Sequence, residues 1–259
     1  MIAYDDLGHG DPLVLVHGHP FDRTMWRPQA ERYSRAGRRV IVPDLRGYGE
    51  STVVPGKTTL DVFARDITEL LDRLGVDTFV VGGLSMGGQI VMELHRQVPD
   101  RIRGLILADT SALADSGAAR QTRLDTAERL IREGMGPYAE EVLPKMVAPH
   151  NITAMPDVAQ HVLTMMRGAN PEGAAAALRG RAERPDYTET LTQVAVPALV
   201  VVGSDDEFTP IGDAKHIADH IADARLAVID GAAHLPNLER TAEFDAAVLS
   251  FLDTIGGAR

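Results

Sequence analysis

The 259-residue chain contains no cysteine, and its 26 lysines and arginines are outnumbered by 37 aspartates and glutamates. Without cysteine the protein cannot form disulfides, thiolate nucleophiles or cysteine-based metal sites. The formal net charge of −11 repels polyphosphate backbones and anionic lipid headgroups. We therefore expect no nucleic-acid partner and no membrane partner.

Long apolar runs are missing as well. The longest, VPALVVV at 196–202, is too short to cross a bilayer, and the opening MIAYDDLGHG lacks a basic stretch followed by an apolar segment. The sequence therefore predicts a cytoplasmic protein, and its 44% hydrophobic content suffices for a globular core.

Short, almost uniformly apolar runs recur with helix-length segments between them, which is typical of parallel strands covered by helices on both faces. The runs are LVLVH (13–17), RVIVP (39–43), TFVVGG (78–83), GLILAD (104–109), ALVVVG (198–203) and ARLAVID (224–230), and IAYDD (2–6) is a candidate edge strand. The clearest helix, 59–75, carries one apolar stripe. This alternation predicts a doubly wound α/β sheet.

The alternation of strand-like and helix-like segments stops over 111–190, where no strand-like run occurs. Candidate helices there are 119–134, 137–147, 156–168 and 171–183. Because the stretch far exceeds ordinary loop lengths, we expect a helical cap inserted into a core formed by 1–110 and 191–259. Helices that pack on the sheet edge and line nothing are the alternative.

The segment GGLSMGG at 82–88 crowds glycines around one serine, between an apolar run and a helix-like run. A sharp strand-to-helix turn at Ser85 would make side chains at positions 83 and 87 collide, and glycine removes that collision. Gly83-Leu84-Ser85-Met86-Gly87 fits G-x-S-x-G, the nucleophile elbow, when a strand precedes and a helix follows. The pattern predicts that Ser85 is a nucleophile.

A serine nucleophile needs a base, and the base needs an orienting carboxylate. His234 follows the last strand-like run, and Asp205 and Asp206 follow the run before it, in loops at the carboxyl ends of strands where open α/β sheets place their chemistry. We expect His234 to be the base. Spacing alone leaves both aspartates open as the carboxylate.

The whole chain resembles the α/β-hydrolase superfamily, especially its carboxylesterase, enol-lactonase and cofactor-free perhydrolase branches. The matching motifs are H-G-x-P (His17, Gly18, His19, Pro20), Trp26-x-x-Gln29, D-x-R-G-x-G-x-S (Asp44, Arg46, Gly47, Gly49, Ser51), G-x-x-D-x-x-x-P (Gly203, Asp206, Pro210) and G-x-x-H-L-x-x-x-E (Gly231, His234, Leu235, Glu239). The resemblance implies that Asp206 is the acid. Since the usual first strand is missing, it also implies about seven strands.

Two backbone N–H groups should stabilise the oxyanion of acyl transfer. Met86 supplies one as the residue after the nucleophile, and the resemblance assigns the other to His19. We also expect Trp26 to contact substrate, and Val162, Met165 and Met166 to line an apolar acyl pocket, since methionine adapts to irregular shapes. A methionine face that simply joins the core is the alternative.

These patterns predict a serine hydrolase that cleaves a small-molecule carboxylic ester or lactone through an acyl-enzyme, with no cofactor. The alternatives are perhydrolase or haloperoxidase-type activity with the same residues, and a ligand receptor with little turnover. The pairs His17/His19 and His216/His220 lack a third ligand and the H-E-x-x-H glutamate, so we predict no metal site. The sequence predicts no oligomeric state.

Overall fold

A computed structural model of the protein describes residues 1–256. Its strands form one sheet in the order β1-β3-β2-β4-β5-β6-β7, in which β1 runs antiparallel to β3 and the other pairs are parallel. The strands are β1 (Tyr4–Leu7), β2 (Asp11–Val16), β3 (Arg38–Pro43), β4 (Phe79–Leu84), β5 (Ile102–Ala108), β6 (Ala198–Gly203) and β7 (Ala224–Ile229). The predicted mostly parallel sheet of seven strands is confirmed.

Helices cover both faces of the sheet. They are α1 (Arg27–Arg35), α2 (Leu60–Arg73), α3 (Met86–Gln97), α4 (Gly117–Glu133), α5 (Met135–Met146), α6 (Pro149–Ala154), α7 (Pro156–Gly168), α8 (Pro171–Arg181), α9 (Thr188–Thr192), α10 (Ile211–His220), α11 (Pro236–Glu239) and α12 (Thr241–Gly256). Short 3-10 turns occupy Arg23–Trp26 and Pro99–Arg101.

Burial explains why the central strands read as unbroken apolar runs. Every residue of β4 and β6 is buried, because helices pack on both sides of these strands. On one side the core contains Phe63 and Ile67 of α2, and on the other it contains Tyr33 of α1 and Phe251 of α12. The edge strand β1 alternates exposed and half-buried residues instead.

Between β5 and β6 the chain forms six helices, α4 to α9, and no strand. The bounds predicted for the four longer helices agree with the structure to within two residues. The two short ones, α6 and α9, were not predicted, because six and five residues are too few to show a helical period. Among the helices of residues 1–256, we find none with the length and apolar character needed to span a membrane.

Candidate active site

Ser85 lies between β4 and α3 with a left-handed backbone conformation, φ 58° and ψ −116°. This strained turn fits only because its neighbours are glycines: a Cβ on Gly83 would lie 2.3 Å from the carbonyl carbon of Gly87, and one on Gly87 would lie 2.2 Å from the oxygen of Val16. The Ser85 N–H donates to the oxygen of Ala108 at 2.9 Å. The predicted collision between strand and helix is real, and glycine relieves it.

Ser85 opens onto a cavity of about 320 Å³ between the carboxyl edge of the sheet and the inserted helices. The lining includes His234 and Phe208 from the loops after β7 and β6, together with Met146 of α5 and Leu178 of α8. A volume of this size suits a small ligand. Within residues 1–256 the Ser85 hydroxyl makes no hydrogen bond, so it is free to meet a reactant.

His234 is buried, and its Nδ1 lies 2.8 Å from Oδ2 of Asp206. Asp206 also accepts hydrogen bonds from the Phe208 N–H and from the N–H and hydroxyl of Thr209. Burial acts to raise the pKa of Asp206, but the imidazole of His234 and these hydrogen bonds outweigh it and lower the pKa. The carboxylate is therefore held ionised against the ring that it orients.

Asp205 faces solvent instead, and its Oδ1 accepts a hydrogen bond from the Ser204 hydroxyl at 2.7 Å. Of the two aspartates that spacing could not separate, the structure places Asp206 against His234.

Two backbone N–H groups near Ser85 have no acceptor within residues 1–256. Met86 is the first residue of α3, so its N–H precedes the first intrahelical bond. The second belongs to His19, in a loop held by the side chain of His17, whose Nδ1 lies 2.8 Å from the Gly18 oxygen and whose Nε2 accepts from the Leu45 N–H at 2.9 Å. Both groups are the donors predicted for an oxyanion.

Comparison with known families identifies the protein family of this chain. The profile of the family described as alpha/beta hydrolase fold matches residues 11–241. The chain belongs to the α/β-hydrolase family.

Individual relatives of this hydrolase are similar over nearly the full length. The solved structure of a thermophilic esterase from Thermogutta terrifontis, with malate bound, is 42% identical at a TM-score of 0.96 and covers 98% of this chain and 93% of its own. The enol-lactonase from Burkholderia xenovorans LB400 is 28% identical at a TM-score of 0.90, covering 97% and 96%. The 3-oxoadipate enol-lactonase 2 of Acinetobacter baylyi is 29% identical over 250 residues, which are 95% of this chain and 91% of the lactonase.

The His19 side chain, whose role the sequence left open, also lines the cavity of this hydrolase. Its Nδ1 lies 2.7 Å from the Tyr48 hydroxyl, and its buried Nε2 has no partner within residues 1–256. Burial, followed by the charge of Arg181, lowers the pKa of His19 well below its ordinary value, so the ring is neutral. Because the Tyr48 hydroxyl has no other acceptor there, it donates to Nδ1, and the ring proton lies on Nε2.

Asp109, which no sequence motif indicated, belongs to the same site. It follows β5 with φ 44°, is buried, and accepts the Gly203 N–H at 2.9 Å through Oδ1. Its Oδ2 has no hydrogen-bond partner within residues 1–256. The feature of the sequence that could have indicated Asp109 is its place at the end of the apolar run GLILAD, because the end of such a strand lies at the carboxyl edge of the sheet.

Asp109, Asp206 and His234 bring ligand-type atoms within 4.8 Å of one another. Two carboxylates and an imidazole are groups that metal ions also bind. Nδ1 of His234 and Oδ2 of Asp206 are hydrogen-bonded to each other at 2.8 Å.

Glu239 ties the His234 loop to the inserted helices. Oε1 accepts the Ala233 N–H at 2.8 Å, and Oε2 accepts the Ala148 N–H at 2.8 Å and the Asn151 amide at 2.7 Å. The sequence identified Glu239 only as part of a motif. The structure shows that its carboxylate holds the residue before His234 and the start of α6 together.

Four side chains predicted to contact substrate lie elsewhere. Val162, Met165 and Met166 of α7 are buried in the same apolar cluster as Trp26, which stacks near Phe244 at a ring distance of 5.9 Å. Among the described residues that line the Ser85 cavity, none of the four occurs. The apolar face of α7 packs against α5 and the Arg23–Trp26 turn, and the inserted helices that line the cavity are α4, α5 and α8.

Proposed function

We propose that this α/β hydrolase cleaves a carboxylic ester or lactone through an acyl-enzyme on Ser85. The observation that carries the proposal is that Ser85, at a strained strand-to-helix turn, shares one cavity with a His234 imidazole held at 2.8 Å by Asp206. The esterase and enol-lactonase relatives support the same chemistry, and malate bound to the Thermogutta terrifontis esterase makes carboxylate compounds useful members of a test panel.

In this mechanism His234 removes the proton of Ser85 as its oxygen attacks the substrate carbonyl. The N–H groups of His19 and Met86 stabilise the oxyanion that forms. The imidazolium then gives its proton to the leaving oxygen, which leaves the acyl group on Ser85. Water, activated by His234, releases the acid in the second half of the cycle. The hydrogen bond from Ser85 to His234 forms once substrate is present, as catalytic hydrogen bonds commonly tighten on binding.

In the same proposal, residues 111–190 act as a cap on a core formed by 1–110 and 191–259. Support comes from the cavity, because Ser85 lies at its core side while residues of α5 and α8 form the opposite wall. A cap of this kind excludes water and limits the size of the substrate. The substrate in this proposal is a small molecule, since the cavity holds about 320 Å³.

Labelling with a fluorophosphonate, followed by peptide mass spectrometry, tests the nucleophile. We expect one adduct at Ser85, lost in Ser85→Ala together with the hydrolysis of 4-nitrophenyl esters. Ser111 is the other serine that lines the cavity, so Ser111→Ala should still be labelled at Ser85. An adduct at Ser111, or turnover by folded Ser85→Ala at the wild-type rate, would contradict the assignment.

Adding hydrogen peroxide to the same assay separates the alternatives. Peracid formation that exceeds acid formation would indicate the perhydrolase activity. Ligand binding without labelling or turnover would indicate a receptor.

A further inference from the structure

Arg181, at the end of α8, is a buried cation without an anionic partner. Its residue surface is 9% exposed, and its side chain lines the Ser85 cavity. Its Nε donates to Oε1 of Gln89 at 3.1 Å. Across residues 1–256 the two terminal nitrogens have no hydrogen-bond acceptor, and no carboxylate lies within 4.0 Å of the guanidinium.

The other charges of the cavity do not neutralise Arg181. Asp115 uses one oxygen for Nε of Arg123 and the other for Nη1 of Arg184, each at 2.8 Å. The lining thus contains three arginines against two aspartates, Asp115 and the half-buried Asp213. The side chains that line the cavity therefore carry more positive than negative charge, whereas the whole chain has a net charge of −11.

An unpaired buried charge destabilises a fold, so its presence at a cavity indicates that an anion completes it. Burial, and then the nearby charges of Arg123 and Arg184, lower the pKa of Arg181 well below its ordinary value. Arginine still keeps its proton at neutral pH because its ordinary pKa is so high. Each of the two terminal nitrogens can donate to one oxygen of a planar anion.

The position of Gln89 relates this cation to the nucleophile. Gln89 lies on α3, and its backbone N–H donates to the backbone carbonyl oxygen of Ser85 at 3.2 Å, so the two residues are one helical turn apart. Arg181 is therefore attached to the same helix that begins at the nucleophile. An anion on Arg181 and a carbonyl at Ser85 can belong to one small molecule.

We propose that Arg181 binds a carboxylate of the substrate, and that the substrate is an anionic ester or lactone with its acid group a few bonds from the reacting carbonyl. The inference deepens the proposed hydrolase function and rests on it. It narrows the substrate class from esters in general to half-esters and lactones of dicarboxylic acids.

Two esters that differ only at the far end of the acyl chain test this. Mono-(4-nitrophenyl) adipate ends in a carboxylate and 4-nitrophenyl hexanoate ends in a methyl group, while the leaving group is the same. We expect the wild type to have the higher kcat/KM on the adipate half-ester. Arg181→Gln should lower the adipate-to-hexanoate ratio by about 10- to 100-fold, mainly through KM, as expected for hydrogen bonds to a charged group.

Arg179→Gln is the matched control, because Arg179 lies on the same helix but pairs with Glu128 at 2.8 Å on the outer surface. Its ratio should equal that of the wild type. Arg181→Lys keeps the charge but loses the planar guanidinium, so it should give an intermediate ratio. It replaces Arg181→Gln in the test if that variant does not fold. A ratio that stays within twofold of wild type in a folded Arg181 variant would overturn the inference while the hydrolase function stands.

Thermal unfolding without ligand separates binding from a structural role. Arg181→Gln should melt at or above the wild-type temperature, because it removes an uncompensated buried charge. A clear loss of melting temperature relative to Arg179→Gln would contradict the inference.

If the wild type hydrolyses neither ester, the hydrolase proposal fails, and calorimetry with adipate then tests the anion site by itself. Binding of adipate by the wild type and not by Arg181→Gln would support the site. Equal binding by the two proteins, or no binding by either, would overturn it.

Discussion

The carboxyl group of Asp109 lies beside that of Asp206, and both are buried with their oxygens within 4.8 Å of each other and of a His234 nitrogen. Two carboxylates this close cannot both ionise easily. Burial, followed by the charge of Asp206, raises the pKa of Asp109 well above its ordinary value. Burial and the neighbouring carboxylate thus favour the neutral form of Asp109, while His234 favours the ionised form of Asp206.

This pairing makes stability depend on pH, and Asp109→Asn tests it. A carboxyl whose folded pKa is raised contributes stability at pH values below its unfolded pKa and loses it as pH rises toward the folded pKa. Asparagine cannot ionise, so the melting temperature of the variant relative to wild type should increase from pH 4 to pH 8. Each unit by which the folded pKa exceeds the unfolded pKa corresponds to about 1.4 kcal/mol in the free energy of unfolding, or roughly 2–4 °C in the melting temperature of a chain of this size.

The exposed Asp205 provides the control for that experiment. Asp205→Asn removes an exposed carboxyl that does not contact His234, and its melting temperature relative to wild type at the two pH values gives the baseline. If the difference between Asp109→Asn and wild type does not rise with pH beyond that baseline, the raised pKa of Asp109 is refuted.

Substituting the two neighbouring aspartates should affect turnover very differently. Asp206→Asn removes the acceptor that fixes the tautomer of His234 and stabilises its imidazolium, so we expect kcat to fall by roughly 10³-fold or more. Asp205→Asn changes only nearby surface charge and should lower kcat by at most about tenfold. Steady-state kinetics on one ester, with circular dichroism to verify folding, measure both. Greater damage from Asp205→Asn would refute the assignment of Asp206.

The turn at Ser85 should not tolerate a methyl group at Gly83. Gly83→Ala places its Cβ 2.3 Å from backbone atoms of α3, so the strand and the helix must separate. We expect a loss of about 3 kcal/mol or more in the free energy of unfolding, together with loss of activity. Gly136→Ala is the comparison, since no atom lies within 4 Å of its added Cβ inside α5. That variant should be neutral or slightly more stable in chemical denaturation, by up to about 1 kcal/mol.

Glu239→Gln should loosen the His234 loop even though the side chain keeps its shape. All the partners of the carboxylate on Ala233, Ala148 and Asn151 are donors, so the amide NH₂ of glutamine would face a donor. We expect a loss of about 1–3 kcal/mol in stability by urea unfolding. Glu243→Gln, on an exposed position of α12, should change stability by less than about 0.5 kcal/mol. Equal stabilities for the two variants would show that the Glu239 hydrogen bonds contribute nothing.

The local pattern of the sequence was enough to predict the fold and the strand-to-helix turn at Ser85. Apolar runs of strand length alternating with amphipathic helices predict the parallel sheet, because strand and helix periods are properties of a few adjacent residues. The glycines around Ser85 predict the turn for the same reason, since the collision that Gly83 avoids is with Gly87, four positions away. Chain order then indicated His234, and a family motif indicated Asp206.

Contacts between distant segments had to come from the tertiary structure. Arg181 meets Gln89 across 92 positions and Asp109 accepts from Gly203 across 94, and no periodic pattern records such a pairing. The position of the apolar face of α7 also had to come from the structure, because such a face predicts burial but not which neighbour buries it. The sequence by itself determined the sheet and the turn at Ser85, because these follow from local geometry. Only the tertiary structure decided which buried charges face one another and which cation faces the cavity, because electrostatic pairing depends on distances that folding alone creates.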